Sequence, residues 1–344
     1  MHYAVVLDEV FTRHLTPPGH PERQERIRSI LNAFENWEFR DQVNQIAPCR
    51  AKIEWILNVH SDRLFREVEA TAGKLDSTLD PDTHTSPLSF ETSLLAVGSG
   101  VNLTERLLKG EIEAGFLLVR PPGHHAEEDR AMGFCLFNNV AVAAEWAIRS
   151  KLASKVAIID FDVHHGNGTQ QIFYTRPDVL YVSSHQYPFY PGTGDFREIG
   201  EGPGSGYSLN FPLRAGTGDS LYCRLYEEII APILMEYHPD LILVSAGYDA
   251  FVDDPLGGML LHVDAYRVLA SILNDVAGKL TEGRILYFLE GGYDLVALSN
   301  CVLGTIETTL SPSKPEIPES QGTEFEAYSE LCRKFFAQYW ECLA

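Results

Sequence analysis

Val156-Ala-Ile-Ile-Asp160-Phe-Asp162-Val-His164-His165-Gly-Asn167-Gly168 is the stretch on which the fold turns. Four apolar residues, too few for a helix, run directly into a polar segment, which is how a buried strand ending in a loop of reactive groups reads. Working outward, the same pattern recurs at Tyr3 (YAVVL), Phe116 (FLLV), Val179 (VLYVSS), Leu241 (LILVS) and Ile285 (ILYFLE). Longer stretches with helical periodicity separate these runs: Pro21 to Phe34, Glu91 to Leu108, Asn138 to Ser150, Ser220 to Tyr237 and Asp264 to Leu280. Strand alternating with helix predicts an α/β fold, a single-domain, doubly wound, mainly parallel sheet with helices on both faces. Residues 1–310 form this unit. Residues 311–344 are expected as a Pro/Ser-rich linker, Ser311 to Gln321, and an aromatic-rich helix, Phe325 to Trp340, packing on the body.

The composition agrees with one large core: 344 residues, 45% hydrophobic and 22% charged, with no internal repeat. A net charge of −21 argues against binding a nucleic-acid backbone and favours cationic ligands. The six cysteines lie far apart with no CxxC, so neither a disulfide framework nor a thiolate metal site is expected. No run reaches membrane-spanning length and the N-terminus lacks the basic region of a signal peptide, so the expected location is cytoplasmic, away from membranes.

In open parallel sheets ligands bind beyond the carboxyl ends of the strands. Four of these ends are polar: Arg-Pro-Pro-Gly-His124-His125, the Asp160 to Gly168 segment, Ser-Ala-Gly-Tyr-Asp249, and Glu290-Gly-Gly-Tyr293. Asp162 and His164 are two apart on an extended segment, so both side chains leave one face and can meet Asp249 from another strand at one ion. Two carboxylates and one imidazole suit zinc, and three protein ligands leave room for water and substrate, as a catalytic ion requires. His124 and His125 are candidates for a general base. Asp160 and Asn167 offer the acceptor oxygens that would orient them. Tyr293 follows two glycines, which let the chain turn sharply and present the phenol as an oxyanion donor. The remaining histidines read as surface or packing groups, with His165 and His185 structural. Glu201-Gly-Pro-Gly-Ser-Gly lacks the phosphate-loop pattern and reads as a flexible loop.

Taken together, GHPER from Gly19, RPPGHHA, GFCLFNN, DFDVHHGNGTQ, PFYPGTGD, SAGYDAFVDDPLGG and LEGGYD resemble the histone deacetylase family, in its class II branch with the bacterial amidohydrolases and acetylpolyamine hydrolases. The resemblance implies a zinc-dependent deacetylase acting on N-acetyl-lysine or similar acylated amines, with residues 1–310 as its catalytic domain. It implies zinc ligands Asp162, His164 and Asp249, His125 as general base and acid, His124 as its electrostatic companion, and Tyr293 as oxyanion donor. Asp160 would orient His124 and Asn167 would orient His125. It further implies a structural potassium ion near Asp160, Asp162, His164, Ser183 and Ser184, and a second near Phe173, Arg176, Val179 and Tyr207. Gly133, Phe134 and Tyr190 would wall a channel for the acyl-lysine stem, with Leu256 at its lip and the Asp76 to Ser86 loop at its rim. Tyr190 departs from the family's usual Phe.

Three other activities compete with peptide deacetylation. An acetylpolyamine amidohydrolase shares the motifs, although polyamine-selective relatives carry an acidic residue where this chain has Leu256. A dinuclear manganese ureohydrolase shares the fold and needs further Asp and His ligands. A non-catalytic acetyl-lysine binder would dispense with turnover. An oligomer is compatible with all of them.

Overall fold

The computed structural model describes residues 2–311, 316–317 and 323–344. The expected linker lies largely outside them. The strands are β1 (Tyr3–Leu7), β2 (Val43–Gln45), β3 (Ser77–Asp80), β4 (Thr83–Thr85), β5 (Ala114–Leu118), β6 (Val156–Asp160), β7 (Val179–Gln186), β8 (Ser208–Leu213), β9 (Leu241–Ala246) and β10 (Ile285–Leu289). The helices are α1 (Glu25–Glu35), α2 (Ile53–Leu57), α3 (Asp62–Glu69), α4 (Ser89–Leu108), α5 (Asn139–Arg149), α6 (Asn167–Phe173), α7 (Asp219–Leu225), α8 (Ala231–Tyr237), α9 (Val263–Leu280), α10 (Leu295–Leu310) and α11 (Glu324–Phe336).

Eight strands form one sheet in the order β2-β1-β5-β10-β9-β6-β7-β8, and every neighbouring pair is parallel. The sheet is therefore wholly rather than mainly parallel. The five strands from β5 to β7 by position are buried at every residue, which is why their sequences are continuous apolar runs instead of alternating ones. Helices α4 and α5 pack together against the central strands, while α1, α9 and α10 form a second packed group, giving the doubly wound architecture.

The strand order decides where the site falls. Between β5 and β6 the chain skips two positions, and β9 and β10 later fill that gap. The loops leaving the carboxyl ends of β5, β10, β9 and β6 therefore converge over the middle of the sheet. Helix caps fix where two of the adjoining segments start: Asn138 accepts from Ala141 N–H at 3.0 Å at the head of α5, and Asp294 accepts from Val296 and Ala297 N–H at the head of α10.

The glycine-rich run expected as a flexible loop is instead a 3₁₀ turn over Gly202–Gly204, with Gly206 N–H donating to Ile199 O at 2.6 Å. Backbone hydrogen bonds hold it together with the Trp340 indole, whose Nε1–H donates to Gly206 O at 3.1 Å. Helix α11 docks on the body through buried Phe325, Cys332 and Phe336, with the Arg224 guanidinium 3.9 Å from the centre of the Phe325 ring.

Candidate active site

A cavity of ≈ 400 Å³ opens at the carboxyl edge of the sheet, lined by His124, His125, Gly133, Phe134, His164, Phe189, Tyr190, Leu256 and Tyr293 among others. The histidine pair, His164, Tyr293 and the four residues expected along the channel thus face one cavity. Asp162, His164 and Asp249 supply ligand atoms that lie within 4.8 Å of one another, the one group of three or more such residues among those described that could hold a metal ion. His164 Nδ1 stands 3.1 Å from Asp162 Oδ1 and 3.2 Å from Asp249 Oδ2.

Backbone N–H groups aim the two carboxylates. Gly291 N–H donates to Asp162 Oδ2 at 2.8 Å, and Val163 N–H donates to Asp249 Oδ1 at 2.9 Å. A Cβ at Gly291 would collide with both carboxylates, so this position admits no side chain. Stacking on Phe189, 5.3 Å away, holds the His164 ring. Burial opposes a charge on His164, yet its contacts with Asp162 and Asp249 outweigh that and push it up to about 10. Burial likewise works against the Asp162 carboxylate, but His124 and His164 hold it well below the usual range. Such a concentration of negative donors fits a cation.

The two neighbouring imidazoles, 4.0 Å apart, are driven in opposite directions. His124 Nδ1 donates to Asp160 Oδ2 at 3.1 Å; burial disfavours its charge, but Asp162, Asp160 and Glu290 outweigh it and lift the ring to about 10. His125 Nδ1 lies 2.8 Å from Asn167 Oδ1. The amide of Asn167 is oriented by its other end, which donates to Glu127 Oε1 at 2.7 Å, so the oxygen faces His125 and can only accept. His125 therefore carries its proton on Nδ1 and leaves Nε2 bare. Burial first, then His124 and His164, hold its pKa well below the ordinary imidazole value.

Tyr293 is 8% exposed, stands edge-on to Phe134 at 6.0 Å, and has the Arg26 guanidinium 5.0 Å from its ring centre. Burial keeps its phenol protonated. Phe134 is placed by an N–H to Thr83 Oγ at 3.1 Å, and a Cβ at Gly133, where φ is 55°, would strike the His125 ring. Tyr190, 37% exposed, stands edge-on to His125 at 5.2 Å.

Asp160 and Ser183 are cross-strand partners on β6 and β7. Ser183 Oγ bonds His185 Nδ1 at 2.9 Å, whereas Ser184 Oγ lies 2.8 Å from the hydroxyls of both Tyr222 and Tyr226 and 3.5 Å from Asp160 O. Phe173, Arg176, Val179 and Tyr207 gather at the start of β7, where Phe173 O accepts from Arg176 N–H and Tyr207 O from Tyr181 N–H. His165 and His185 are buried structural groups, bonded to Thr193 and to Gly194 O.

Several residues at the pocket escaped sequence reasoning. Gln186 and Phe189 line it, and within the loop expected at the rim it is Asp82, on the β3–β4 turn, that brings a carboxylate to the lining. Glu290 is buried and accepts from Gly123 and His124 N–H at 2.7 and 3.1 Å; burial above all pushes it up to about 7. Asp254 accepts from three backbone N–H groups around the pocket.

Fold and site define a class: a doubly wound parallel α/β protein with a buried Asp–His–Asp group that could hold a metal, a pair of oriented histidines beside it and a tyrosine across the pocket. More particularly, the chain belongs to the histone deacetylase family, since residues 20–309 match the histone deacetylase domain. It is 38% identical over 92% of its length to "Histone deacetylase 10, chloroplastic" of Oryza sativa subsp. japonica, covering 75% of that protein. It is 35% identical to a "Probable deacetylase" of Archaeoglobus fulgidus, covering 98% of each chain. A crystal structure of the HDA15 HD domain superposes with a TM-score of 0.93 at 34% identity, covering 99% of this chain and 96% of that one. These likenesses support a deacetylase-type hydrolase that binds an acylated substrate.

Proposed function

We propose that this chain is a zinc-dependent amidohydrolase that removes the acetyl group from N-acetyl-lysine or a similar acylated amine. The observation that carries this reading is the meeting, in one pocket, of the Asp162, His164 and Asp249 group with a neutral, Asn167-oriented His125 and a buried Tyr293. A zinc ion held by these three donors would polarise the substrate carbonyl and acidify a water molecule next to it. His125 Nε2 takes the proton of the attacking water and passes it to the departing amine. His124, kept protonated by the surrounding carboxylates, stabilises negative charge without exchanging protons at this stage. The Tyr293 phenol donates to the carbonyl oxygen as charge builds on it.

Gly133, Phe134 and Tyr190 would enclose the methylene stem of the substrate, with Leu256 at the lip. Asp160, Asp162, His164, Ser183 and Ser184 offer the hard oxygen donors suited to one structural potassium ion, Ser184 through its backbone, and the corner at Phe173, Arg176, Val179 and Tyr207 to a second. Asp162, His164 and Asp249 are the one metal-capable group among the described residues, which supports one catalytic ion over a dinuclear ureohydrolase centre. Within the deacetylase reading, Leu256 favours acyl-lysine peptides over acetylated polyamines, because an apolar lip gives a second ammonium no partner. Asp82 at the rim is the competing acidic group, so Leu256→Glu in the presence of Asp82 measures which of the two governs. The ratio of kcat/KM for an acetyl-lysine peptide and N8-acetylspermidine should favour the peptide in the parent and move toward the polyamine in Leu256→Glu. An unmoved ratio contradicts the role given to Leu256.

The function itself is tested by acetate release from an acetyl-lysine peptide. His125→Ala should lower kcat by on the order of 10²-fold or more. Full turnover without His125 would exclude it as the base.

A further inference from the structure

Tyr293 follows Gly291 and Gly292, the latter at φ 116°. Two glycines give the segment little stiffness of its own, so the phenol's position depends on what its backbone is tied to. On one side the tie is Arg26, whose Nε donates to Gly292 O at 2.7 Å. On the other it is a single carboxylate that belongs to neither the ligand set nor the histidine pair. Asp254 Oδ2 accepts the N–H groups of Tyr293 at 2.6 Å and Asp294 at 3.2 Å. Its Oδ1 accepts the N–H of Leu256 at 2.9 Å. Asp254 is 6% exposed, whereas Asp253 beside it faces solvent. Both Leu256 and Tyr293 line the pocket, on loops leaving different strands, β9 and β10.

We infer that Asp254 is a positioning residue for the proposed reaction: one carboxylate ties the Tyr293 loop to the Leu256 lip, fixing the oxyanion donor and the substrate entrance relative to each other. The inference rests on Tyr293 being the oxyanion donor. A buried carboxylate whose two oxygens accept three backbone N–H groups from two loops is a stiff anchor, because moving either loop leaves a buried donor without its acceptor. An asparagine of the same size has one acceptor oxygen and an amide that cannot accept, so either the Leu256 arm or the Tyr293 arm must be lost. Small displacements of a positioned catalytic group are costly, on the order of 10²-fold in rate for about 1 Å.

A double-mutant cycle separates this role from general support of the fold. The parent, Asp254→Asn, Tyr293→Phe and the double variant are compared for kcat on an acetyl-lysine peptide, together with metal content and unfolding midpoint. Asp254→Asn alone should lower kcat by on the order of tenfold or more, with metal content and midpoint near those of the parent. Once the phenol oxygen is gone kcat no longer depends on where the Tyr293 loop is held, and the Leu256 arm is read in KM, so in the Tyr293→Phe background the same change should cost less than about twofold in kcat. An equal loss in both backgrounds, no loss in either, or a variant that sheds its metal or melts early would overturn the positioning role. If Tyr293→Phe alone left turnover intact, the donor assignment itself would fall, and this inference with it.

Discussion

Tyr293 can be stripped of its hydroxyl without touching any group that could hold a metal. Tyr293→Phe should keep its metal complement while kcat falls on the order of 10²–10³-fold; metal analysis beside steady-state kinetics checks both halves, and near-normal turnover would rule out the phenol as oxyanion donor. At this scale the sequence was informative where residue type and local setting coincide. His124, His125, Asp162, His164 and Asp249 stand at strand ends in Gly- and Pro-shaped loops, where few side chains are present for packing alone. Asp254 gave no such signal, and Glu290, although at a strand end, gave none of the role its carboxylate plays. In a chain with 48 Asp and Glu residues, nothing local distinguishes buried Asp254 from exposed Asp253. Their importance comes from backbone N–H groups contributed by other loops, which only the folded chain brings to them.

Among the elements, the six strands read from apolar runs all lie in the sheet, because burial on both faces demands unbroken apolar sequence. The two edge strands were not legible. β2 is three residues long, Val-Asn-Gln, and β8, Ser-Leu-Asn-Phe-Pro-Leu, contains a proline that an interior strand could not accept. The stretch Ser220 to Tyr237, read as one helix, widens into a π turn over Tyr226–Ile230 before α8. Pro232 has no N–H to return to the carbonyl four residues back, and the extra residue accommodates that. Helix α11 reaches the segment that follows Tyr190 through Phe196, which stacks on Phe335 at 5.0 Å and against Phe336 at 5.9 Å. Phe336→Ala should destabilise the protein by about 3–5 kcal/mol, visible in denaturant unfolding, and should weaken kcat/KM through the loosened loop. A variant as stable as the parent would show that α11 contributes no packing of consequence.

For the molecule as a whole, stability and pH are linked through buried histidines that fold neutral. His60 bridges two loops, its Nδ1 2.8 Å from Glu127 O and its Nε2 accepting Asn138 N–H at 2.9 Å, and burial lowers it to about 4. The unfolded ring titrates near 6.5, so between about 6.5 and about 4 the unfolded chain binds the extra proton. The contribution is complete above the upper value and is lost as pH falls through this window, a change of about 3 kcal/mol. The stability gap between parent and His60→Asn should therefore be widest at neutral pH and close toward pH 4; a gap independent of pH would contradict neutral burial. The central claim, one catalytic zinc ion on Asp162, His164 and Asp249 driving deacetylation, is tested most directly by titrating metal-free protein with zinc while following acetate release from an acetyl-lysine peptide. Activity should rise from near zero to a plateau at one zinc per chain, with no rise in Asp249→Ala. A plateau at two metals per chain, or full turnover by the metal-free protein, would contradict it.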